Sequence, residues 1–479
     1  MNNIAYHSNI PNTSRRNGKY IYRYFCTAVL TAINTALFLC CWYGFVKEQY
    51  DSGGASLFGS HSLLGLGNLG MAAGIYLILY VIIGTWLSAF SIGVHRKANI
   101  LAGQILTLLT VDVIEVFMSC AITGQFRFFP EFLKMYMIMM LAQSLTSIIL
   151  TIPMIDIYRK AFPPLKLIEV YGDYDNDLAR KIDGVRYKYK VLDRISCHED
   201  EENIRQRIKD YDAVLLNDIP AHEENTMLKI CFETEKRVYF VPKIADILVK
   251  NAEELNLIDA PLFFNRNNGI GPGKRFVKRA FDIVFSLLAL IIFSPIIAMT
   301  AIAIHAEDGG PVFFRQERVT IGGRRFMILK FRSMIPDAEK DGRPHPAGKS
   351  DDRITKVGKI IRACRVDELP QLINILAGDM SIVGPRPERW EHVEKYSKDI
   401  PEFEFRHMMK GGLTGYAQVY GKYNTTALDK LKLDLLYITN YSFLLDIQII
   451  FETIKILVQK ESTEGFSDER QKEMNDIKQ

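Results

Sequence analysis

The stretch Ile291-Ile292-Phe293-Ser294-Pro295-Ile296-Ile297 lies in the middle of an apolar segment, residues 281–304, and its reading decides the architecture. A segment of that length is enough to cross a bilayer as a helix. Proline inside a helix removes a backbone hydrogen bond and clashes with the preceding turn, so the segment is expected to break or kink sharply at Ser294-Pro295. If it spans, everything downstream lies across the membrane. If it enters and returns, the chain on both sides shares one face. Hydropathy alone leaves the two readings even.

Upstream, the apolar character is concentrated. The 479 residues are 48% hydrophobic and 24% charged, yet four runs of near-bilayer length, residues 22–46, 69–92, 100–122 and 132–155, fall in the first third. Arg15, Arg16, Lys19 and Arg23 precede the first run, Arg96 and Lys97 separate the second from the third, and Arg159, Lys160 and Lys166 follow the fourth. Lys47 and Arg127 mark the other connections, so the positive-inside rule gives a four-helix transmembrane domain, residues 1–160, with both ends cytoplasmic. No small-residue cleavage pattern follows the first run, which reads as a retained span. A net charge of +4 is too weak to imply a nucleic-acid partner. Seven cysteines without a Cys-x-x-Cys spacing suggest neither a disulfide framework nor a zinc site.

Residues 161–265 read as a Rossmann-like α/β domain with strands at 165–171, 213–217 and 238–241. Its first turn, Tyr171-Gly172-Asp173-Tyr174-Asp175-Asn176, has one glycine and two acids where a pyrophosphate needs glycines and a helix N-terminus. The domain is therefore expected to be degenerate, with a regulatory or packing role, which argues against a nucleotide-sugar oxidoreductase or epimerase. A glycine- and asparagine-rich linker, residues 263–274, and the basic run Lys274, Arg275, Lys278, Arg279 lead into the broken segment.

Downstream, two short strands, residues 311–316 and 325–331, are expected around Gly322-Gly323. On the second, Lys330 and Arg332 alternate with Phe331 and share one face, an arrangement suited to a diphosphate. Residues 367–378 read as a helix with Asp367-Glu368 near its start, Pro370 in its first turn and Gly378 as its stop. An acidic helix start is commonly only a complement to the helix dipole. Here the pair sits among Arg362, Arg365 and Arg386, so one carboxylate could face phosphorus while the other holds a divalent cation. An aspartate, ionised at neutral pH, needs no general base to attack phosphorus.

These elements occur in order with Lys330-Phe331-Arg332-Ser333-Met334, Asp367-Glu368-Leu369-Pro370-Gln371, Gly378-Asp379-Met380-Ser381, Gly384-Pro385-Arg386-Pro387 and Gly412-Leu413-Thr414-Gly415-Tyr416-Ala417-Gln418. Together they resemble the bacterial sugar transferase family, the monotopic phosphoglycosyl transferases, over residues 274–460. The whole chain resembles its larger polyprenyl-phosphate hexose-1-phosphate transferase members. The resemblance implies a catalytic domain at 266–463 with a re-entrant helix at 280–304, broken at Ser294 and Pro295.

It also implies transfer of a sugar 1-phosphate from a UDP-sugar to undecaprenyl phosphate at the bacterial inner membrane, from the cytoplasmic face. UMP is released, and the product starts an exopolysaccharide, capsule or O-antigen repeat. Asp367 is then the nucleophile of a two-step covalent course and Glu368 the Mg²⁺ ligand, with Lys330, Arg332, Arg362 and Arg386 as phosphate binders. Lys410-Gly411 departs from the family's usual Arg-Pro, keeping a charge for the nucleotide but losing the bidentate fork. Asp434 matches an acid of the family's closing region, with a helix-stabilising role as an equal alternative. A membrane scaffold with a degenerate transferase domain is the competing reading, and intact Asp367, Glu368, Lys330 and Arg386 weigh against it. A homodimer formed through the added domains fits the large members. Residues 443–458 fit an interfacial helix, because Asp446, Glu452 and Lys455 would be costly in hydrocarbon. The tail, residues 464–479, is expected to be disordered.

Overall fold

The computed structural model describes residues 10–51, 66–124, 126–172, 178–183, 185–255, 259–265, 269–335, 351, 353–421 and 425–458; the tail expectation falls outside them. The chain divides into two compact units, Met1–Val241 and Pro242–Gln479.

In the first unit four helices, α1 (Ile10–Asp51), α2 (Leu66–Trp86), α3 (Lys97–Thr123) and α4 (Phe129–Ala161), each contain a stretch long and apolar enough to cross a membrane by length and composition. Their shared interior is aromatic, with Trp42, Tyr76, Tyr80 and Tyr136 fully buried. Some polar side chains there pair with one another: Trp42 Nε1 donates to Ser119 Oγ at 3.0 Å and Gln143 Nε2 to Tyr76 OH at 2.8 Å, whereas the carboxylates of Asp112 and Glu115 on α3 are buried with no hydrogen bond among the described residues. The second run ends at Trp86 rather than 92, because residues 87–95 turn back through Ser88 and Gly93, both at positive φ, and bury Leu87 and Ile92.

The same unit holds a four-stranded parallel sheet of β1 (Leu165–Tyr171), β2 (Tyr189–Ser196), β3 (Ala213–Asn217) and β4 (Arg237–Phe240) in the order β2-β1-β3-β4. Helices α5 (Leu178–Asp183), α6 (Glu201–Ile208) and α7 (Ala221–Glu233) connect the strands. β3 is buried along its whole length, as expected for a central parallel strand.

The second unit opens with α8 (Ile244–Val249) and the hairpin of β5 (Glu253–Leu255) and β6 (Leu262–Phe264). Ile247 joins the cluster of Val319, Ile375 and Leu435, so the boundary expected at 265 falls earlier, after Val241. Next comes α9 (Pro272–Asp308), one continuous helix of 37 residues. Helical backbone continues through Ser294-Pro295, so the expected break does not end the helix there, and a bend at the proline is compatible with this continuity. Ser294 Oγ donates to Ile291 O at 2.8 Å, and the flanking Ile291, Ile292 and Ile296 are exposed. An apolar surround favours a helix that keeps its remaining backbone bonds.

Both ends of α9 are tied to the same unit. Near its start, Lys278 Nζ donates to Val383 O (2.9 Å), Tyr437 OH (3.2 Å) and Asp446 Oδ2 (2.7 Å), and Asp282 accepts from Ser381 Oγ and Ile382 N, each at 3.0 Å. At its end, Glu307 accepts from the backbone N–H groups of Lys356 and Val357, and Asp308 pairs with Arg332.

Beyond α9 lie the antiparallel pair β7 (Phe313–Val319) and β8 (Arg325–Phe331), then α10 (Lys356–Ala363), α11 (Gln371–Ala377), β9 (Met380–Val383), α12 (Trp390–Asp399), β10 (Gly411–Thr414), α13 (Tyr416–Tyr420), α14 (Ala427–Thr439) and α15 (Phe443–Val458). β9 and β10 form a short parallel pair inside the core. On α15, Asp446 and Lys455 are buried in the protein, paired with Lys278 and Glu452.

The Lys278–Asp446 pair is removed from water on both sides, with side chains 9% and 1% exposed. Breaking a buried pair from one side costs about 3–5 kcal/mol, whereas replacing both members with apolar residues costs far less. Asp446→Leu is therefore expected to lower stability by about that amount, and Lys278→Met/Asp446→Leu to recover most of it. Thermal unfolding of the detergent-purified chain measures both; a double variant no more stable than the single one counts against the account.

Candidate active site

The acid pair does not lie on an α-helix. Val366–Glu368 is a single 3₁₀ turn, and α11 begins after it with Pro370 at its N-cap. Residue Arg365, just before the turn, is held in the left-handed region (φ 55°, ψ 22°), a conformation that costs a non-glycine residue energy and is found where surroundings over-determine the backbone. What over-determines it is the docking of α11 on β8. The Asn374 side chain reads the strand on both sides: its Nδ2 donates to Met327 O and its Oδ1 accepts from Leu329 N, both at 2.9 Å. One residue further along β8, Lys330 meets the turn.

Glu368 is the centre of the cluster. Its Oε1 accepts from Lys330 Nζ at 2.9 Å and from Arg386 Nη2 at 3.2 Å, and its Oε2 lies 3.9 Å from Arg365 Nη1. Burial would raise its pKa, but Arg386 and Lys330 outweigh burial and hold the carboxyl well below the usual range. Lys330 is lowered by its own burial, against the opposing pull of Glu368.

Asp367 differs from its neighbour. Among the described residues none hydrogen-bonds its carboxylate. Burial and the adjacent Glu368 charge raise its pKa, while Lys330, Arg362 and Arg365 pull it back toward the ordinary value. Arg362, in the last turn of α10, thus acts on Asp367 through its field.

Arg386 enters from the loop after β9. Gly384 must be glycine there, since a Cβ would come within 2.3 Å of Lys410 O. The guanidinium then donates through Nη1 to Gln418 Oε1 at 2.9 Å. Behind it, Asp434 on α14 binds Arg406 Nη2 at 2.7 Å, and the same nitrogen donates to Arg386 O at 2.9 Å. Asp434, pushed up to about 6 by burial against the opposing Arg406, therefore positions Arg386 through Arg406 and does not touch the acid pair.

Two expected members of the site lie elsewhere. Arg332 falls after the end of β8 and is taken up away from the acid pair: it is buried and makes a two-pronged pair with Asp308 at the end of α9. Lys410 lies near Gly378 at the opposite end of α11 from Asp367, in a cluster with Arg279, Asp282, Arg324 and Asp379. Arg318, which the motifs do not single out, stands beside Arg386. Burial and the Arg386 charge lower it to about 10, and its Nη1 donates to Pro387 O at 3.2 Å. Its signal in the sequence is the alternation along β7, where Gln316 and Arg318 share a face and hydrogen-bond at 2.5 Å.

The donors near Asp367 and Glu368 are hard carboxylate oxygens, which suit a Mg²⁺ that keeps several waters and takes substrate phosphates. Glu368 Oε2 accepts no hydrogen bond among the described residues, so the pair fits such an ion.

The profile of the bacterial sugar transferase family matches residues 273–460, the stretch that contains this cluster. Over 256 residues the chain is 39% identical to a UDP-N-acetylgalactosamine-undecaprenyl-phosphate N-acetylgalactosaminephosphotransferase of Aeromonas hydrophila, covering 52% of this chain and 59% of that protein. It is 37% identical over 311 residues to a UDP-glucose:undecaprenyl-phosphate glucose-1-phosphate transferase of Klebsiella pneumoniae, covering 63% and 64%. With a transferase of the same description from Caulobacter vibrioides the identity is 42% over 187 residues, 38% of this chain and 69% of the relative. The chain thus spans about three fifths of the length of the first two relatives.

The strain at Arg365 can be tested apart from any activity. Arg365→Gly relieves a left-handed conformation that costs about 1–2 kcal/mol, and gives back about 0.5–1 kcal/mol through the freer unfolded chain. The variant is expected to melt at or slightly above the wild-type temperature. A clear drop would show that the Arg365 side chain, not the fold of the turn, holds this backbone.

Proposed function

The chain belongs to the bacterial sugar transferase family, and on that premise we propose that it transfers a sugar 1-phosphate from a UDP-sugar to undecaprenyl phosphate, releasing UMP. The observation that carries this reading is the division of labour in the acid pair: Glu368 is clamped by Lys330 and Arg386, while Asp367 keeps an unengaged carboxylate in the same cationic pocket. In the first step an oxygen of Asp367 attacks the sugar-linked phosphorus, the bond to the bridging oxygen breaks, and UMP departs with that oxygen. In the second step an oxygen of the lipid phosphate attacks the same phosphorus, and Asp367 leaves as the free carboxylate.

Lys330, Arg386 and Arg362 hold the diphosphate and its gathering negative charge in a site partly withdrawn from water, where fixed cations act strongly. Mg²⁺, held by Glu368, would supply further neutralisation of the diphosphate. Asp434 and Arg406 keep Arg386 in place throughout. The relatives named above act on UDP-N-acetylgalactosamine and UDP-glucose, so the hexose is the open choice within the class.

The lipid substrate calls for the site to face the membrane from one side. Supporting this, both ends of α9 bind the same unit while the side chains between them expose a continuous apolar surface. We place that unit at the cytoplasmic face of the inner membrane, with α9 entering and returning.

Asp367→Asn is expected to reduce UMP release from UDP-sugars by more than about three orders of magnitude while the protein stays folded and membrane-bound. Near-wild-type turnover would remove the covalent step. Because the reactive form is the carboxylate and its pKa is raised, the rate is lost as pH falls through a value above the ordinary aspartate range. Arg362→Gln, which removes a cation that lowers Asp367, should move the acidic limb of kcat/KM further up.

Topology is tested by Lys398→Cys, an exposed position on α12, in a background lacking Cys40 and Cys364, the exposed natural cysteines. An impermeant maleimide should label it only when it has access to the cytoplasmic face; labelling of intact cells from outside would make α9 a span.

A further inference from the structure

A second group of cations lies in the first unit, far in sequence from the acid pair. The start of α1, the turn after α2, the end of α4 and the N-terminal edge of the parallel sheet meet around a cavity of about 120 Å³. Lys19, Arg23, Lys188 and Arg237 line it together with Tyr158 and Tyr239, and among the described residues no Asp or Glu does. Like charges gathered this way repel one another unless an anion sits among them.

Two of these cations, Arg23 and Lys188, have uncharged partners. Arg23 Nε donates to Ile92 O at 2.9 Å and its Nη2 to Tyr158 OH at 3.1 Å, which fixes the guanidinium, and among the described residues its Nη1 makes no hydrogen bond. The Lys188 ammonium lies 5.0 Å from the Tyr189 ring centre. Among the described residues neither Lys188 nor Arg237 pairs with a carboxylate. Burial and the nearby Arg23 charge lower the Lys188 pKa, against the opposing pull of Tyr239. Close by, Arg159 stacks over Tyr187 at 4.6 Å, and its Nε is buried without a hydrogen-bond partner among the described residues.

The position excludes the usual nucleotide crevice. Ligands of open α/β sheets bind at the carboxyl ends of the strands, whereas Leu165, Lys188 and Arg237 mark the amino ends. The volume is also well below the roughly 300 Å³ of pockets that enclose a whole small molecule. It suits a headgroup-sized anion. The cavity lies where apolar helices give way to arginine, lysine and tyrosine, the composition of a bilayer interface.

We propose that this cavity binds a phosphate group, presented either by an anionic lipid headgroup at the bilayer surface or by free phosphate in solution. The full chain is to be reconstituted in phosphatidylcholine nanodiscs with and without phosphatidylglycerol, and its retained lipids read by native mass spectrometry. A parallel arm measures the melting temperature against inorganic phosphate. Each cation near such a group contributes about 1 kcal/mol, so Lys188→Gln and Arg237→Gln should each weaken binding about fivefold and the double variant about 25-fold.

Preferential retention of phosphatidylglycerol that the double variant loses supports a lipid phosphate. Stabilisation by inorganic phosphate that the double variant loses supports a free one. No preference and no stabilisation in the wild type, or equal responses in wild type and double variant, overturns the proposal. Arg237 is exposed, so Arg237→Gln is expected to match wild-type melting without ligand and decides the matter alone if Lys188→Gln does not fold.

Discussion

A buried lysine, Lys278, sets the frame of the second unit. Its ammonium is fully engaged by Val383 O, Tyr437 OH and Asp446 Oδ2, and Tyr437 closes the circuit by donating to Asp446 Oδ1 at 2.6 Å. Those groups belong to β9, α14 and α15, so one charge ties the apolar helix α9 to three separate elements. Burial pushes the Asp446 carboxyl upward, and Lys278 resists that push. An apolar contact could bury as much surface, but it would not fix the register of α9 along the strand, since only directed bonds penalise a slip. The consequence reaches the site at once: Val383 is followed by Gly384, Pro385 and Arg386.

The second constraint is electrostatic. Two adjacent carboxylates in a partly dry pocket cannot both be satisfied by the same cations, and this fold gives nearly all of them to Glu368. Glu368 therefore remains an anion whatever Asp367 does, and its field is one reason that Asp367 is more basic than an ordinary aspartate. A raised pKa makes a carboxylate a better nucleophile while costing it some ionisation, and Arg362 and Lys330 limit that cost by drawing the value back. In the proposed reaction the same cations meet the diphosphate, so the charge that tunes the resting nucleophile is the charge that receives the substrate.

Much of this was legible in the sequence because it rests on local chemistry. The spacing of apolar runs marked the candidate membrane helices, Gly378 marked the end of α11 with its positive φ of 93°, and the ordered motifs picked out Asp367, Glu368, Lys330 and Arg386, which the fold brings into one cluster. What escaped depends on where a chain goes after a motif ends. β2 was not legible because Lys190, Asp193 and Arg194 interrupt its apolar pattern, and only pairing with β1 makes it a strand. Arg332 follows Lys330 by two residues, which on a continuing strand means one face. The strand stops at Phe331, and Asp308, distant in sequence, takes the guanidinium. Asp434 and Lys278 read as generic helix and membrane-edge charges. Their roles come from partners more than twenty residues away, Arg406 in one case and Asp446 in the other.

The expectation at Ser294-Pro295 shows the same limit from the opposite side. Proline chemistry rightly says that one backbone bond is lost, but whether a helix then ends depends on what else could satisfy its neighbours. Hydrocarbon offers nothing, so the helical bonds that remain are worth keeping. A straight helix of 37 residues would be about 55 Å long, nearly twice the roughly 30 Å hydrocarbon core of a bilayer. Yet Lys278 and Asp282 near its start, and Glu307 and Asp308 at its end, all bind one folded unit. A spanning helix would hold those ends on opposite sides of the bilayer, and the polar domain between them would then have to pass through hydrocarbon. In the proposed reading, the tethers at both ends together with a bend at the proline are the physical argument for a helix that leaves and rejoins the same face.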